Sequence, residues 1–181
     1  VVNYQGNEAA ARETLALIQQ AGGKGLLYKA DVTDSAEVEA MFKAILSEYG
    51  RLDILVNNAG ITRDGLIMRL KDGDWSQVIN TNLTGVFNCC RAAAKPMMKQ
   101  RGGRIINISS VVGLEGNAGQ VNYAAAKAGL LGPCKRNMRA ILQIFVDPDR
   151  ACFKPVRNLN SRIHITRPDG TRQPIFARVR A

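Results

Sequence analysis

Apolar residues recur at helical spacing in two stretches near the start of the chain. The first covers residues 8–20 and is preceded by Asn7, a residue type that caps helix N-termini. The second starts after a cap at Asp34 or Ser35 and ends before Gly50. The inward-facing residues are Ala11, Leu15, Ile18 and Ala21 in the first, then Val38, Met41, Phe42 and Ile45 in the second. Both patterns predict helices that lay one apolar face against a core.

Short apolar runs lie between the helical stretches. Such runs are typical of strands that are buried on both faces of a sheet. The predicted strands cover residues 1–4, 25–30, 52–56 and 104–109, and further helices cover about 75–99 and 122–131. Alternation of strand and helix implies a parallel sheet, because each crossover lays a helix across a face of the sheet. The sequence therefore predicts an α/β fold with a doubly wound parallel sheet.

Composition places the chain among soluble globular proteins. Its 181 residues are 46% hydrophobic and 22% charged, which excludes a collagen-like or wholly disordered chain. No apolar run approaches the ~18 residues of a transmembrane helix, and no signal peptide is visible. We therefore expect no membrane association and a cytoplasmic location, or an organellar one if a targeting segment was lost. The four cysteines include no CxxC pair and predict no metal site.

The net charge of +10 is concentrated in the last part of the chain. Residues 1–132 carry 14 Lys and Arg against 12 Asp and Glu, whereas residues 133–181 carry 11 against 3. Such a shift in composition usually marks a change of domain, a tail or a change of reading frame. We interpret residues 133–181 as a basic, Arg-rich tail produced by a frameshifted translation. Arginines attract polyanions, but the tail has no aromatic platform or nucleic-acid motif, so a solvated tail is favoured over nucleic-acid binding.

Small or polar residues follow each predicted strand. They are Asn3 and Tyr4, Asp31 and Val32, Asn57 to Gly60, and Ser109 and Ser110. Ligands of an open parallel sheet bind beyond the carboxyl ends of its strands. Turn formation alone explains any one of these segments. Four of them together favour a flat cofactor that lies across the strand ends.

The chemistry of the chain centres on Tyr123 and Lys127, which lie four residues apart on a predicted helix and project from one face. A free tyrosine has a pKa of ~10, and a neighbouring ammonium lowers it, which makes the phenol a usable general acid or base. Ser110 lies just past a strand end, where its hydroxyl can hold a carbonyl oxygen. A Tyr-x-x-x-Lys pair alone is common on helix surfaces.

In order and spacing these residues resemble the motifs of the short-chain dehydrogenases/reductases. The motifs are Asn57-Asn58-Ala59-Gly60, Asn82, Ser110 and Tyr123-x-x-x-Lys127. Within that family, residues 1–132 are most similar to 3-oxoacyl-[acyl-carrier-protein] reductases, through NNAGITRDGLIMRL, GRIINISSVVG and GNAGQVNYAAAKAG. The resemblance implies a Rossmann-like, dinucleotide-binding reductase domain over 1–132. It also implies NADPH-dependent reduction of a 3-oxoacyl thioester in fatty-acid biosynthesis.

The resemblance also implies a role for each site residue. Tyr123 protonates the substrate carbonyl oxygen, and Ser110 orients it. Ser109 competes for this role but lacks the family's spacing. Lys127 lowers the pKa of Tyr123 and binds the nicotinamide ribose, while Asn82 positions a water that relays protons. The implied cofactor-binding residues are Asp31, Val32, Asn58, Ala59, Gly60, Tyr123 and Lys127. The implied partners are a substrate bound to acyl carrier protein and further copies of the chain, as a dimer or tetramer.

The residues after the first predicted strand indicate the choice of cofactor. Dinucleotide folds that select NAD commonly place a carboxylate there, which binds the ribose hydroxyls. This chain has Asn3-Tyr4 instead, so it does not repel a 2′-phosphate. The sequence therefore favours NADPH over NAD, in agreement with the resemblance.

Two departures from the family pattern predict an incomplete sheet. Residues 1–132 contain no Gly-x-Gly-x-x-Gly turn ahead of a helix, so we expect the family's first strand and pyrophosphate-binding turn to be missing. Pro133 interrupts the helix of Lys127, and we expect residues 133–181 to replace the last strands and helices. The alternatives are an inactive fragment or pseudogene product of such a reductase, or a reductase of another small ketone.

Overall fold

The computed structural model describes residues 1–131 in full and, beyond them, the backbone of four short strands between residues 141 and 174. In chain order the elements are β1 (Val2–Tyr4), α1 (Glu8–Gln20), β2 (Leu27–Lys29), α2 (Ser35–Tyr49), β3 (Ile54–Asn57), a 3-10 turn (Ile67–Arg69), α3 (Asp72–Ile79), a π-helical segment (Asn80–Thr84), α4 (Gly85–Lys99), β4 (Arg104–Ser110), α5 (Val112–Glu115), α6 (Val121–Gly129), β5 (Ile141–Val146), β6 (Lys154–Pro155), β7 (His164–Thr166) and β8 (Arg172–Pro174).

Parallel strands alternate with helices, so the predicted α/β fold class is confirmed. β1 pairs with β2 in parallel, and α1 makes the crossover between them. A second sheet has the order β3-β4-β5-β6, in which the first three strands are parallel and β6 is antiparallel. β7 and β8 form an antiparallel ribbon. The arrangement is consistent with part of a Rossmann-like fold.

Helices α1 and α2 begin and end where the residue pattern predicts. The Asn7 side chain accepts a hydrogen bond from the Ala10 amide at 3.0 Å. Asp34, rather than Ser35, is the cap of α2, because its carboxylate accepts from two first-turn amides. Gly50 ends α2 with a left-handed φ of 71°, a conformation that glycine adopts without steric strain.

The helix predicted at 75–99 is longer and is interrupted. It begins at Asp72 and changes to a π-helical turn over Asn80–Thr84 before α4 continues to Lys99. A π-turn inserts one residue into the helical repeat and often marks a functional site. Here the inserted turn carries the buried side chain of Asn82 toward the loop that follows β3.

The register of β3 against β4 is fixed by a pair of buried amides. Asn57 and Asn107 are direct neighbours across the two strands, and the Asn57 Nδ2 group donates to Asn107 Oδ1 at 2.8 Å. A shift by one residue would separate these buried polar groups and turn each side chain to the other face. The carboxyl ends of β3 and β4 therefore lie side by side, which places their following loops at one edge.

The largest apolar cluster joins α2, α4 and β4. Its buried members are Ala30, Val38, Met41, Phe42, Ile45, Cys89, Ala93, Met97 and Ile105. Full burial of each large side chain contributes about 1.5–3 kcal/mol. The cluster contains all four apolar residues that the sequence placed on the inner face of α2. It fixes α4 against the sheet, and α4 in turn carries the turn of Asn82.

Beyond residue 131, β5 extends the parallel sheet next to β4. Ile105 to Ser110 lie opposite Ile141 to Val146 in register. The sequence pattern did not predict this strand, which falls inside the stretch interpreted as a tail. A further short strand of this stretch is β7, at His164–Thr166. Pro133 lies outside the described residues, and the division of the chain at residue 132 stays a prediction.

Candidate active site

The end of β4 and the first turns of α6 bring Ser110, Tyr123 and Lys127 together. Ser110 is the last residue of β4 and is 3% exposed, and Lys127 is 5% exposed. The Lys127 Nζ atom lies 5.6 Å from the centre of the Tyr123 ring. Ser110 and Tyr123 share a side-chain hydrogen bond. Three of the residues predicted from the sequence therefore form one cluster, in which Ser110 and Lys127 are buried and Tyr123 is half-buried.

Lys127 is held by the backbone of β4. Its Nζ group donates a hydrogen bond to the carbonyl oxygen of Ile108 at 2.7 Å. Burial of the ammonium lowers the pKa of Lys127 from 10.5 to about 8. The side chain is therefore mostly protonated at neutral pH, but it is close enough to its pKa to exchange protons.

The pKa of Tyr123 differs in direction from the sequence-based expectation. Burial raises the pKa above its ordinary value of 10, the hydrogen bond with Ser110 lowers it, and the nearby Asp64 carboxylate raises it. The expected lowering of this pKa is therefore wrong in direction, because removal of the phenolate from water is the largest of these effects. Tyr123 is therefore a neutral phenol at pH 7, the form that can donate a proton.

The structure distinguishes the two serines that end β4. The Ser109 hydroxyl donates to the main-chain carbonyl of Lys127 at 3.0 Å and is buried away from Tyr123. The Ser110 hydroxyl accepts from the Val112 amide at 3.2 Å and also meets Tyr123. Ser110 is thus the serine beside Tyr123, while Ser109 fastens the main chain of Lys127 to β4.

Asn82 holds the loop after β3 through both groups of its side-chain amide. Its Oδ1 accepts from the Ile61 amide at 2.8 Å, and its Nδ2 donates to the Ile61 carbonyl at 2.9 Å. The side chain is fully buried, and its amide bonds to both the N–H and the C=O group of this one residue. Both groups are engaged by Ile61, so a water relay through this side chain stays a prediction.

Asn58, Ala59 and Gly60 form an exposed, small-residue strip directly after β3. A Cβ atom at Gly60 would lie 3.2 Å from Asn82 Oδ1 and 3.7 Å from Lys127 Nζ. The absence of a side chain at Gly60 therefore keeps an open surface beside Lys127. A role for Asn58, Ala59, Gly60 and Tyr123 in binding the nicotinamide end of a cofactor stays a prediction.

Asp31 and Val32 lie at the carboxyl end of β2, apart from the Tyr123 cluster. The Asp31 carboxylate accepts from the Thr33 amide and hydroxyl, each at 2.8 Å, and from the Gln5 side chain at 2.6 Å. Val32 packs so closely on Gly85 that a Cβ there would lie 2.7 Å from Val32 Cγ2. Val32 therefore packs directly against the first residue of α4.

Gly113 allows α5 to approach the backbone that carries Lys127. A Cβ atom at residue 113 would lie 2.8 Å from the Lys127 carbonyl carbon and 2.9 Å from the Ala128 nitrogen. Backbone atoms cannot swing aside as a flexible side chain can. The position of Lys127 thus depends on the absence of a side chain at residue 113.

Gly113→Ala is expected to lower the free energy of unfolding by roughly 1–3 kcal/mol, because the added methyl group forces α5 and α6 apart. Chemical denaturation measures this loss. Gly73→Ala is the matched control, since a Cβ at Gly73, in α3, meets nothing within 4 Å. We expect that variant to be unchanged or stabilised by about 0.5–1 kcal/mol. Equal free energies of unfolding for the two variants would show that the close approach of α5 to α6 does not require glycine at residue 113.

Asn122 is a site residue that the sequence interpretation missed. It is fully buried, its Nδ2 donates to the Arg63 carbonyl at 2.9 Å, and its Oδ1 accepts from the Tyr123 amide at 2.8 Å. The signal was its place next to Tyr123 in a first helical turn, where asparagine side chains commonly bond to backbone groups. The partner at Arg63 lies in a distant part of the sequence and was not readable from it.

Other classes of site are not supported by the described residues. Within that part of the chain, no three His, Cys, Asp or Glu side chains lie where they could hold a metal ion. Burial raises the pKa of the Cys89 thiol to about 11, which makes it a poor nucleophile. None of the described helices is both long and apolar enough to cross a membrane.

A parallel α/β sheet with a Ser, Tyr and Lys cluster at its strand ends defines a class of dinucleotide-dependent oxidoreductases. Comparison with known families agrees, because the family model described as short chain dehydrogenase matches residues 1–142. The chain belongs to the short-chain dehydrogenase family. The match continues past residue 132, where the sequence-based resemblance was expected to end.

Among the similar curated proteins are several 3-oxoacyl-[acyl-carrier-protein] reductases. The chain is 50% identical over 140 residues to FabG of Staphylococcus aureus, covering 77% of this chain and 57% of that protein. It is 52% identical over 132 residues to the reductase of Synechocystis sp., covering 73% and 53%. It is 56% identical over 121 residues to FabG of Salmonella typhimurium, covering 67% and 49%. The chain thus spans about half the length of the curated relatives it matches, and the predicted resemblance is confirmed.

Proposed function

We propose that the site reduces the ketone of a 3-oxoacyl thioester to the 3-hydroxyacyl form, with NADPH as the reductant. The main support is the cluster of buried Ser110, half-buried Tyr123 and buried Lys127 at the carboxyl end of β4. The similar proteins indicate the substrate class, since they are 3-oxoacyl-[acyl-carrier-protein] reductases. Fatty-acid biosynthesis is the process that this reaction serves.

In this proposal Tyr123 is the acid and Ser110 is the carbonyl-binding group. Bound NADPH supplies the hydride that adds to the carbonyl carbon. The Tyr123 phenol transfers its proton to the carbonyl oxygen, which yields a neutral alcohol and leaves a phenolate. The Ser110 hydroxyl donates a hydrogen bond to the same oxygen as negative charge develops on it. The raised pKa of Tyr123 keeps the phenol protonated before the reaction.

The Lys127 ammonium, which lies over one face of the Tyr123 ring, assists the proton transfer from Tyr123. The ammonium, held by the Ile108 carbonyl, stabilises the phenolate that forms on Tyr123. With a pKa of about 8, Lys127 can also return a proton to Tyr123 near neutral pH. Asn82 fixes the loop that contains Asn58 to Gly60 through its hydrogen bond with Ile61. In this proposal Asn82 also positions a water that relays protons.

The cofactor is proposed to lie along the carboxyl ends of the strands. Tyr123 and Lys127 hold the nicotinamide ribose, Asn58 to Gly60 form the floor, and Asp31 and Val32 flank the adenine. NADPH is preferred to NADH because no carboxylate follows Tyr4 directly. The proposed partners are an acyl-carrier-protein-bound substrate and further copies of the chain. The cytoplasm is the proposed location.

The proposal is tested by mixing the chain with NADPH and acetoacetyl-coenzyme A and following the loss of NADPH absorbance. We expect reduction with NADPH, slower reduction with NADH, and a strong loss in Ser110→Ala. A parallel fluorescence titration measures NADPH binding alone. Absence of binding would support the inactive-fragment alternative. Binding of NADPH with reduction only of other small ketones would support the alternative that the chain is a reductase of another small ketone.

A further inference from the structure

The loop after β3 is held from two sides by fully buried asparagines. Asn82, in the π-helical segment, pairs with both backbone groups of Ile61. Asn122, in α6, donates to the carbonyl of Arg63, two residues further along the same loop. Neither asparagine is exposed to solvent. The loop therefore has a defined position relative to both helices that carry the site.

Three hydrogen bonds join residues 63–65 to residues 119–122, and we call this set the loop bridge. The Asn122 side chain donates to the Arg63 carbonyl at 2.9 Å, and the Gln120 side chain donates to the Asp64 carboxylate at 3.0 Å. The Gly65 amide donates to the Gly119 carbonyl at 2.8 Å. Only the bond from Asn122 is made by a buried side chain, so it is the one protected from competition by water.

Asn122 also touches the residue that carries the chemistry. Its Oδ1 accepts from the main-chain amide of Tyr123, one of the first-turn amides of α6 that has no partner within the helix. The Gln120 side chain makes no cap hydrogen bond at this helix end. One side-chain amide therefore binds the Tyr123 backbone with one group and the Arg63 carbonyl with the other.

We propose that Asn122 is a positioning residue that sets the place of Tyr123 relative to the loop of Arg63 and Asp64. The proposal rests on the assignment of Tyr123 as the acid. In this arrangement the first turn of α6 and the loop move as one unit. Loss of the Asn122 side chain separates them, and the surroundings of the Tyr123 hydroxyl change while α6 itself persists.

The charged and titratable groups around Tyr123 give this proposal a measurable consequence. The Asp64 carboxylate, on the loop, raises the pKa of the phenol, while Ser110 at the end of β4 lowers it. Lys127 lies beneath the ring on α6 itself. Release of the loop moves Asp64 away and admits water to the phenol. Both changes favour the phenolate, so the pKa of Tyr123 is expected to fall toward 10.

The experiment is an NMR titration of the full chain with tyrosine isotope-labelled at the ring carbon that bears the hydroxyl. Tyr123→Phe assigns the signal. Asn122→Leu keeps the branched shape of the side chain but removes both hydrogen bonds, and we expect the pKa of Tyr123 to fall. The measurement needs neither cofactor nor turnover, so its outcome is independent of whether the chain reduces a thioester.

Asn88→Leu is the matched control. Asn88 is also buried in a helix, α4, and its Nδ2 donates to the Val32 carbonyl at 3.1 Å, far along the sequence from Tyr123. We expect a comparable loss of stability but an unchanged pKa of Tyr123. If Asn122→Leu loses stability and leaves the pKa of Tyr123 unchanged, Asn122 is only structural and the proposal is overturned.

A second variant tests the loop bridge from its exposed side, in case Asn122→Leu does not fold. Gln120→Leu removes the hydrogen bond to Asp64 without touching a buried group. We expect a smaller fall of the pKa of Tyr123 in the same direction. An unchanged or raised pKa in this variant would contradict the role of the bridge in setting the surroundings of Tyr123.

Discussion

Tyr123→Phe is expected to lower the rate of thioester reduction by roughly 10²–10⁴-fold, the usual contribution of a positioned general acid. The variant keeps the aromatic ring that packs beside Lys127 and removes only the hydroxyl that carries the proton. Ser110 can still bind the carbonyl oxygen, but no adjacent phenol remains to neutralise the alkoxide. Steady-state rates of NADPH oxidation measure the loss, and substrate binding should change far less.

Tyr49→Phe is the matched control for this variant. Tyr49 is the last residue of α2 and is 44% exposed, so the loss of its hydroxyl should leave the rate unchanged. NADPH titration of both variants separates a chemical defect from a loss of cofactor binding. Full activity of Tyr123→Phe would show that the proton comes from another group and would remove Tyr123 from the mechanism.

The elements that were predictable from the sequence are those fixed by local chemistry. Asn7 and Asp34 cap helices because their short polar side chains reach first-turn amides, and both contacts involve residues close in the chain. Gly50 ends α2 for a similarly local reason. The spacing of Ser110 and Tyr123 was informative because it matches a family pattern, and the structure brings the two side chains together.

Features that depend on distant contacts were not predictable. The π-turn at Asn82 accompanies a bond to Ile61, and the role of Asn122 requires the Arg63 carbonyl, far away in the sequence. The predicted direction of the shift in the Tyr123 pKa was wrong because the motif indicates a neighbouring charge but not the degree of burial. Desolvation is a property of the folded surroundings, so a spacing rule cannot supply its magnitude.

The stability of the unmodified chain is expected to rise with pH above pH 8, and Lys127→Met is expected to remove this rise. In the folded protein Lys127 titrates at about 8, whereas in the unfolded chain it titrates near 10.5. Between these values the unfolded chain binds one more proton, so the free energy of unfolding increases as pH rises. A difference of this size corresponds to roughly 3 kcal/mol when fully developed.

Comparison of the two chains is necessary because other buried groups titrate in the same range. Burial raises the pKa of Cys89 from 9.0 to about 11, so that group lowers stability as pH rises above 9. Tyr123 acts in the same direction above pH 10. Subtraction of the Lys127→Met curve cancels the effect of Cys89, and a range that ends at pH 10 keeps Tyr123 protonated in both proteins. Loss of the bond to Ile108 adds only a constant offset. Urea denaturation from pH 7 to pH 10 should therefore show a difference that grows steadily above pH 8. Parallel curves would mean that Lys127 titrates normally in the folded protein, and that burial does not prepare it for proton exchange with Tyr123.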